Sequence, residues 1–247
     1  MVFEIEKRSS TSHELKAFES FASRGILLFR QNYQENDLIV DLILERGLRL
    51  SALVRGGQKS IKRFGGKLEP LKLLNFQLRS PKGLSSFEKL FSLEATDVVE
   101  VFDEYKKTWN SLNEGLFYTE FFRDLFPRGD LEPWMYQNAL KSLVAGNHLC
   151  LEAGEDWRRL YVWFYFSSQL GFGLLGDKGL FARLFSEEQH TEWSALFTET
   201  LFSDKAVKFL EGQCGKVLEK KILRDLYSDW MQRSHLKCKS LESWAML

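Results

Sequence analysis

The segment VRGGQKSIKRFGGKLEP, residues 54–70, is the most informative stretch of this chain. Its residues 55–67 contain no carboxylate and five cations, namely Arg55, Lys59, Lys62, Arg63 and Lys67. Glycine allows positive φ and close backbone approach, and a phosphate chain is bound by cations and backbone N–H groups. The pattern therefore favours a loop that binds phosphates. A solvated loop that uses its charge only for solubility is the alternative.

Positive charge is concentrated around this segment. The whole chain of 247 residues has no net charge, but residues 24–90 carry thirteen Lys or Arg against six Asp or Glu. The rest of the chain therefore has an excess of seven negative charges. Such a distribution lets one region hold an anionic polymer while the remainder stays neutral enough to avoid unspecific binding.

Short β-strand patterns surround the basic segment. They are residues 25–30, 38–45 and 49–54 before it, and 71–78 and 89–95 after it. Five short strands within about seventy residues, with no long helix between them, are typical of a small closed barrel such as the OB-fold. The first 23 residues are polar and mixed in charge, and we treat them as an extension.

The hydrophobic period changes to that of helices after Ala95. Helices are predicted over residues 97–125, from Pro133 to Gly146, and over 157–170, 193–202 and 216–231. The predicted fold class is therefore α+β, with a five-stranded OB-fold barrel over 24–96 and an α-helical domain over 97–247.

Catalytic and metal-binding patterns are absent from the sequence. There is no nucleophile elbow, zinc-protease helix, P-loop or dinucleotide-binding glycine pattern. Cys150, Cys214 and Cys238 lie far apart, and His148 with Cys150 lacks a second ligand pair. Glu187, Glu188 and His190 are weak candidates for acid–base chemistry. We expect a non-enzymatic protein with no cofactor and no metal. No signal peptide or membrane span is evident, which predicts a cytoplasmic location.

Single-stranded nucleic acid is bound by a basic groove together with aromatic rings that stack on bases. Four barrel aromatics are candidates for stacking, Phe29, Tyr33, Phe64 and Phe76, although core packing is the simpler role for each. Phe64 is favoured because it lies within the basic loop. The predicted DNA-binding residues are Arg30, Arg49, Arg55, Lys59, Lys62, Arg63, Phe64 and Lys67.

Three segments of the barrel region resemble the bacterial recombination mediator RecO. They are GILLFRQNYQENDLIV from Gly25, ERGLRLSALVRGGQK from Glu45 and FGGKLEP from Phe64. Weaker similarity extends through Leu170-Gly171-Phe172 to LKCKSL at residues 236–241. The resemblance implies a protein that binds single- and double-stranded DNA, anneals complementary strands and, with RecR, helps load RecA onto strands coated by single-strand-binding protein. An RNA- or protein-binding OB-fold scaffold is the alternative.

The resemblance also implies a receptor for the acidic C-terminal tail of single-strand-binding protein. The matching positions at the start of the central helix are Arg158, Arg159, Leu160 and Trp163. Alternatively, both arginines only solvate the exposed face of that helix.

Many RecO proteins carry a four-cysteine zinc site after the central helix. Residues 173–176 here are Gly-Leu-Leu-Gly, so the resemblance does not imply zinc.

Overall fold

The computed structural model describes residues 19–81, 89–148, 154–171, 187–197, 200–213 and 218–246. Five strands form the N-terminal barrel: β1 Ser20–Tyr33, β2 Asp37–Leu44, β3 Leu48–Val54, β4 Lys72–Arg79 and β5 Phe91–Val101. β1 pairs with β2 and β4, and β5 pairs with β4. The antiparallel pair β2–β3 and a short parallel pair between β3 and β5 close the ring. This arrangement confirms the predicted OB-fold.

The hairpin between β2 and β3 shows how the local sequence fixes the register. Gly47 has φ +76° and its N–H donates to the Leu44 carbonyl at 2.9 Å. A three-residue hairpin loop needs one residue in the left-handed region, where glycine is not penalised. Leu44 is thereby paired with Leu48.

Apolar side chains fill the interior of the barrel. Leu27, Val40, Leu50 and Leu74 belong to this core and are almost fully buried. A one-turn helix, α1 Ile61–Phe64, follows β3 inside the basic segment. Phe64 on this turn and Leu68 just beyond it pack into the same core. The basic segment is therefore part of the barrel's hydrophobic packing.

A second hydrophobic core joins the barrel to the helices. Ile26 and Leu28 on β1 and Ile43 on β2 point away from the barrel interior and belong to the helical core, whereas Leu27 points inward. The register of β1 against β2 shifts between Leu27 and Phe29. Burial on both faces of β1 holds the two parts of the chain together through hydrophobic packing.

Seven described helices follow the barrel. Their bounds are α2 Trp109–Leu125, α3 Pro133–His148, α4 Glu155–Gln169, α5 Glu187–Phe197, α6 Asp204–Glu211, α7 Lys220–Ser234 and α8 Lys239–Met246. A two-residue strand, Gly129–Asp130, pairs with β3 ahead of α3. The Thr108 side chain caps α2 by accepting from the Ser111 N–H at 3.1 Å. α4 is buried from Leu160 to Ser167, so it forms the centre of the helical core.

The helix predicted from residue 97 is wrong in its first half. β5 continues to Val101, a single 3-10 turn covers Asp103–Lys106, and the helix begins only at Trp109. The reason is tertiary, because residues 96–101 pair with β4 and backbone pairing there overrides a weak helical spacing. Residues 1–18 and residues 173–176 lie outside the described part of the chain.

Candidate nucleic-acid interface

The basic loop, which we define as residues 55–67, is anchored on the turn between β1 and β2. The Gly56 N–H donates to Asp37 Oδ1 at 2.7 Å, and the Gln58 N–H donates to the Asn36 carbonyl at 3.0 Å. Gln58 Nε2 also donates to the Asp37 carbonyl at 2.9 Å. These bonds fix the loop backbone at one end of the barrel, so its cations project from an ordered frame.

Three cations of the basic loop are available for an anion. Arg55, Lys59 and Lys62 are exposed, and within the described ranges none of them forms an ion pair. Arg63 is exposed as well, but its guanidinium donates to Ser60 Oγ at 3.2 Å and to the Arg55 carbonyl at 3.0 Å. Its guanidinium carbon also lies 4.9 Å from the centre of the Phe64 ring. Arg63 therefore braces the loop that presents the other three cations.

Tyr33 is the barrel aromatic best placed to stack on a base. It ends β1, pairs with Asp37 in the β1–β2 register and is 40% exposed. Asp37 also holds Gly56, which follows Arg55, so the ring lies at the edge where the basic loop begins. Arg30, three residues earlier on β1, is exposed and donates to the Leu68 carbonyl at 3.1 Å. A ring and cations at one barrel end match the requirements for single-strand binding.

The other predicted stacking rings are occupied elsewhere. Phe64 is 3% exposed and Phe76 is 1% exposed, both within the barrel core. Phe29 is covered by Arg123, whose guanidinium carbon lies 4.2 Å from the ring centre. The structure therefore does not fit the base-stacking role predicted for Phe64. Its position in the basic loop reflects its function as the apolar anchor of α1.

Two predicted DNA-contacting cations hold the fold together instead. Arg49 is 9% exposed and donates to the Phe126 carbonyl, which links β3 to the end of α2. Burial lowers the pKa of its guanidinium, against the opposing charge of Asp41. Lys67 Nζ donates to the Thr96 carbonyl at 3.0 Å and to Asp97 at 2.9 Å, so it ties the loop to β5.

The predicted tail receptor is largely inside the helical core. Leu160 and Trp163 are 0% and 1% exposed, and Arg158 is 4% exposed. Arg158 donates to both carboxylate oxygens of Glu114, at 2.8 and 2.7 Å. Burial alone would lower the pKa of the Arg158 guanidinium, but the hydrogen bonds and charge of Glu114 raise it above its ordinary value. Arg158, Leu160 and Trp163 are thus placed where a tail peptide has no access.

Arg159 is the member of the predicted receptor that lies nearer the surface. Its Nη1 donates to Asp156 at 3.2 Å, while its buried Nε has no hydrogen-bond partner among the described residues. Its guanidinium carbon lies 5.6 Å from the Phe117 ring centre and 6.0 Å from that of Trp244. The Trp244 indole N–H also donates to Asp156, at 2.8 Å. Arg159 therefore combines an unsatisfied donor with two aromatic neighbours.

Within the described ranges, no three His, Cys, Asp or Glu side chains lie close enough together to hold a metal ion. The same part of the chain has no helix with the length and apolar content needed to cross a bilayer. His148 is described but Cys150 is not, so that weak pair stays untested.

Comparison with known proteins matches this barrel to a defined family. The family described as "Recombination protein O N terminal" matches residues 19–95. Over these residues the chain is similar to the N-terminal domain of RecO proteins. The matched residues coincide with the five-stranded barrel and its basic loop, and the resemblance predicted from the sequence is confirmed.

Curated relatives support the same assignment. The DNA repair protein RecO of Geobacter sulfurreducens is 31% identical over 113 residues, which are 46% of this chain and 44% of that protein. RecO of Syntrophobacter fumaroxidans is 26% identical over 150 residues, 61% of this chain and 56% of its own length. The chain thus spans about half the length of these RecO relatives.

Sequence reasoning missed one feature of the interface. Ile61 is 83% exposed and lies between Lys59 and Lys62 on the one-turn helix. A large aliphatic residue within an otherwise polar and basic loop is the signal that would have identified it. Its side chain offers apolar contact beside the exposed cations of the basic loop.

Proposed function

We propose that this protein is a non-enzymatic DNA-binding and strand-annealing mediator of recombinational DNA repair. In this role it binds single- and double-stranded DNA and, together with RecR, assists RecA loading on strands coated by single-strand-binding protein. The relatives named DNA repair protein RecO support the repair role. The observation that carries the DNA-binding part is the group of exposed cations Arg55, Lys59 and Lys62, without ion pairs in the described ranges, beside Tyr33.

The physical argument rests on what each group offers a nucleic acid. Such cations replace the counterions condensed on phosphates, and the released ions drive binding. An exposed ring stacks on any base and so binds without sequence preference. A backbone anchored through Asp37 keeps these groups in place before DNA arrives, which reduces the entropy lost on binding. An annealing protein needs this type of contact, because it holds strands by their backbones and leaves base edges free to pair.

Removal of the three exposed cations tests this proposal. The variant with Arg55, Lys59 and Lys62 all replaced by Ala is expected to bind single-stranded DNA more weakly. Its salt dependence is expected to be shallower by about 0.7 per lost phosphate contact, or roughly 2 for all three. Fluorescence anisotropy with a labelled oligonucleotide at several salt concentrations measures both effects.

A matched control removes the same charge from another surface. Lys220, Lys221 and Arg224 lie on the first turns of α7, and the triple Ala variant there changes net charge equally. The control is expected to keep the parent's salt slope. Equal slopes for all three proteins would contradict the assignment of the loop. A strand-annealing assay on DNA coated with single-strand-binding protein then tests the mediator role.

Tyr33 provides a separate test of base stacking. Replacement by Ala is expected to lower single-strand affinity by about tenfold, since one stacked base contributes roughly 1 to 3 kcal/mol. Replacement by Phe keeps a π-face and is expected to preserve affinity. If Ala and Phe variants bind alike, the ring does not stack on DNA.

The proposed tail site is now centred on Arg159. Its guanidinium is less buried than that of Arg158 and offers a positive charge to the acidic tail, while the Phe117 and Trp244 rings beside it are themselves buried. Arg159→Ala is expected to lower affinity for a fluorescent tail peptide about tenfold, as a charge-assisted hydrogen bond contributes about 1.5 to 3 kcal/mol. Binding to naked DNA is expected to stay unchanged. An unchanged peptide affinity would place the tail site elsewhere.

A further inference from the structure

A pocket of about 580 Å³ lies on the barrel, outside the basic loop. We call it the arginine pocket. Its lining residues are Ala22, Ser23 and Arg24 on β1, Glu45 and Arg46 in the β2–β3 turn, and Asn75 on β4. Two guanidinium groups face one carboxylate in this set, so the pocket carries a net positive charge. Its polar lining is suited to an anion rather than to an apolar ligand.

The β1–β2 hairpin separates the arginine pocket from the basic loop. At the turn of the hairpin Tyr33 pairs with Asp37, which holds the Gly56 N–H of the basic loop. At the other end the Glu45 N–H donates to the Arg24 carbonyl at 2.8 Å. Nine residues of β1 separate Arg24 from Tyr33, which corresponds to about 30 Å along a strand. The barrel therefore presents two positive regions at its opposite ends.

Arg46 is a cation without an anionic partner in the described part of the chain. Its guanidinium forms neither an ion pair nor a hydrogen bond there. The guanidinium carbon lies 4.6 Å from the centre of the Phe21 ring, and Phe21 packs edge-on against Phe91 at 6.2 Å. This cation–π contact holds the side chain in place. Because Nε is buried, an anion in the pocket would meet the terminal Nη groups of Arg46.

Arg24 and Asn75 add further donors to the pocket. They are partners in the β1–β4 register, so their side chains lie on the same face of the sheet, and both residues are exposed. Arg24 Nε lies 4.0 Å from Glu45 Oε2, and these two side chains are 47% and 57% exposed. A pair so long and so exposed contributes little, so a phosphate can replace Glu45 at Arg24. Guanidinium groups bind phosphate through paired N–H donors.

The openness of the pocket favours a polymer over a small anion. Arg24, Glu45 and Asn75 are exposed, so the lining does not enclose a ligand. A nucleic-acid backbone brings several phosphates past an open surface, and binding is driven by the release of its counterions. The described lining contains no aromatic ring. The pocket would therefore contact the backbone of a strand and leave its bases free.

We propose that the arginine pocket binds the phosphate backbone of a second nucleic-acid strand while the basic loop holds the first. The inference rests on the proposed DNA-binding function, and it adds a separate site whose donors are Arg24, Arg46 and Asn75. Each strand is held by its backbone at its own end of the barrel. The bases of both strands stay available for pairing, which is what annealing requires.

A sandwich binding assay with the full chain tests the second site. A biotinylated oligothymidine is immobilised and saturated with protein, and a labelled oligothymidine that cannot pair with it is then added. The parent is expected to retain the labelled strand. The variant Arg24→Gln/Arg46→Gln is expected to bind the immobilised strand within about twofold of the parent. It is expected to retain at least tenfold less labelled strand, because two charge-assisted contacts are lost.

A matched control removes the same charge from the helical domain. Lys221 and Arg224 are exposed on α7, and Lys221→Gln/Arg224→Gln is expected to retain the labelled strand as the parent does. Equal retention by the two double variants would overturn the proposal.

Replacement of Glu45 by Gln gives a test of the opposite sign. It removes the carboxylate of the described pocket lining and so strengthens the attraction for phosphate. Retention of the labelled strand is expected to rise about two- to fivefold at low salt. A variant that only disturbed the fold would not gain affinity. Unchanged or weaker retention would contradict a phosphate site at Arg24 and Arg46.

The NMR signal of the Arg46 Nε–H separates this proposal from the function of the basic loop. The signal, identified by its loss in Arg46→Lys, is expected to shift saturably with a thymidine tetranucleotide. At about 3.4 Å per nucleotide this probe covers about 14 Å and cannot reach from the basic loop to the pocket. The same shift is expected when Arg55, Lys59 and Lys62 are replaced by Ala.

Two results of this titration have separate meanings. If the loop variant keeps the parent's affinity for a single strand while Arg46 still shifts, the basic loop is not the first site and the pocket assignment stands. Inorganic phosphate at equal phosphate concentration is expected to shift the Arg46 signal much less than the tetranucleotide. An equal shift would show a site for small anions only, and that result or the absence of any shift would overturn the proposal.

Discussion

Replacement of Glu114 by Gln is expected to destabilise the helical domain far more than the loss of one charge at the surface. Glu114 on α2 is fully buried and accepts three hydrogen bonds, two from Arg158 on α4 and one from the Tyr118 hydroxyl at 2.8 Å. The substituted amide would keep one acceptor oxygen but leave the Arg158 guanidinium, whose side chain is 5% exposed, without an opposite charge.

The magnitude follows from this burial. Water cannot reach Arg158 to replace the lost carboxylate, and an uncompensated buried charge of this kind costs about 3 to 5 kcal/mol. A natural domain has roughly 5 to 15 kcal/mol of total stability, so the variant is expected to lose about a fifth of it or more. At about 2 to 4 °C per kcal/mol for a chain of this size, the melting temperature is expected to fall by roughly 6 to 20 °C.

Urea unfolding of four proteins, the parent and three variants, tests the reasoning. Asp103→Asn removes the carboxylate of an exposed pair with Lys106 and is expected to cost at most about 1 kcal/mol. The combined variant Glu114→Leu, Tyr118→Phe and Arg158→Met removes the buried charges together and is expected to be more stable than Glu114→Gln. If Glu114→Gln is no less stable than Asp103→Asn, the buried pair is not what holds α2 against α4.

Two further variants test packing and titration. Gly146→Ala places a Cβ 2.0 Å from the Tyr105 hydroxyl, so it is expected to lower the free energy of unfolding by about 1 to 3 kcal/mol, measured by thermal unfolding. Adding Tyr105→Phe removes the hydroxyl and is expected to restore part of this loss. If the Gly146→Ala protein is equally stable with and without Tyr105→Phe, the clash is contradicted. Burial raises the pKa of the Cys238 thiol from 9.0 to about 12. Between these two pH values the unfolded chain loses the thiol proton while the folded chain keeps it, so the free energy of unfolding is unaffected below pH 9 and falls as pH rises toward 12, by about 1.4 kcal/mol per pH unit. Cys238→Ser is expected to flatten this decline between pH 9 and 12, and parallel curves would refute the assignment.

The sequence alone determined the barrel and the position of its basic loop. Strand periodicity and the Arg46-Gly47 connection are local signals, because an alternating pattern and a left-handed glycine restrict the backbone wherever they occur. The concentration of cations between residues 55 and 67 was equally visible, since charge excess is a property of composition. The RecO resemblance rested on these same local segments.

Tertiary structure decided which of those residues remain available. Arg55 and Arg49 look alike in sequence, yet Arg55 is exposed and Arg49 donates to a carbonyl 77 residues away. Arg158 looked like a receptor for a carboxylate, but Glu114 on another helix already fills that role. The apolar spacing predicts a helix over residues 97–101, but these residues pair with β4. A local sequence pattern contains no information about that distant strand. Burial and partner choice depend on residues distant in sequence, so they emerge only when the chain folds and those residues meet.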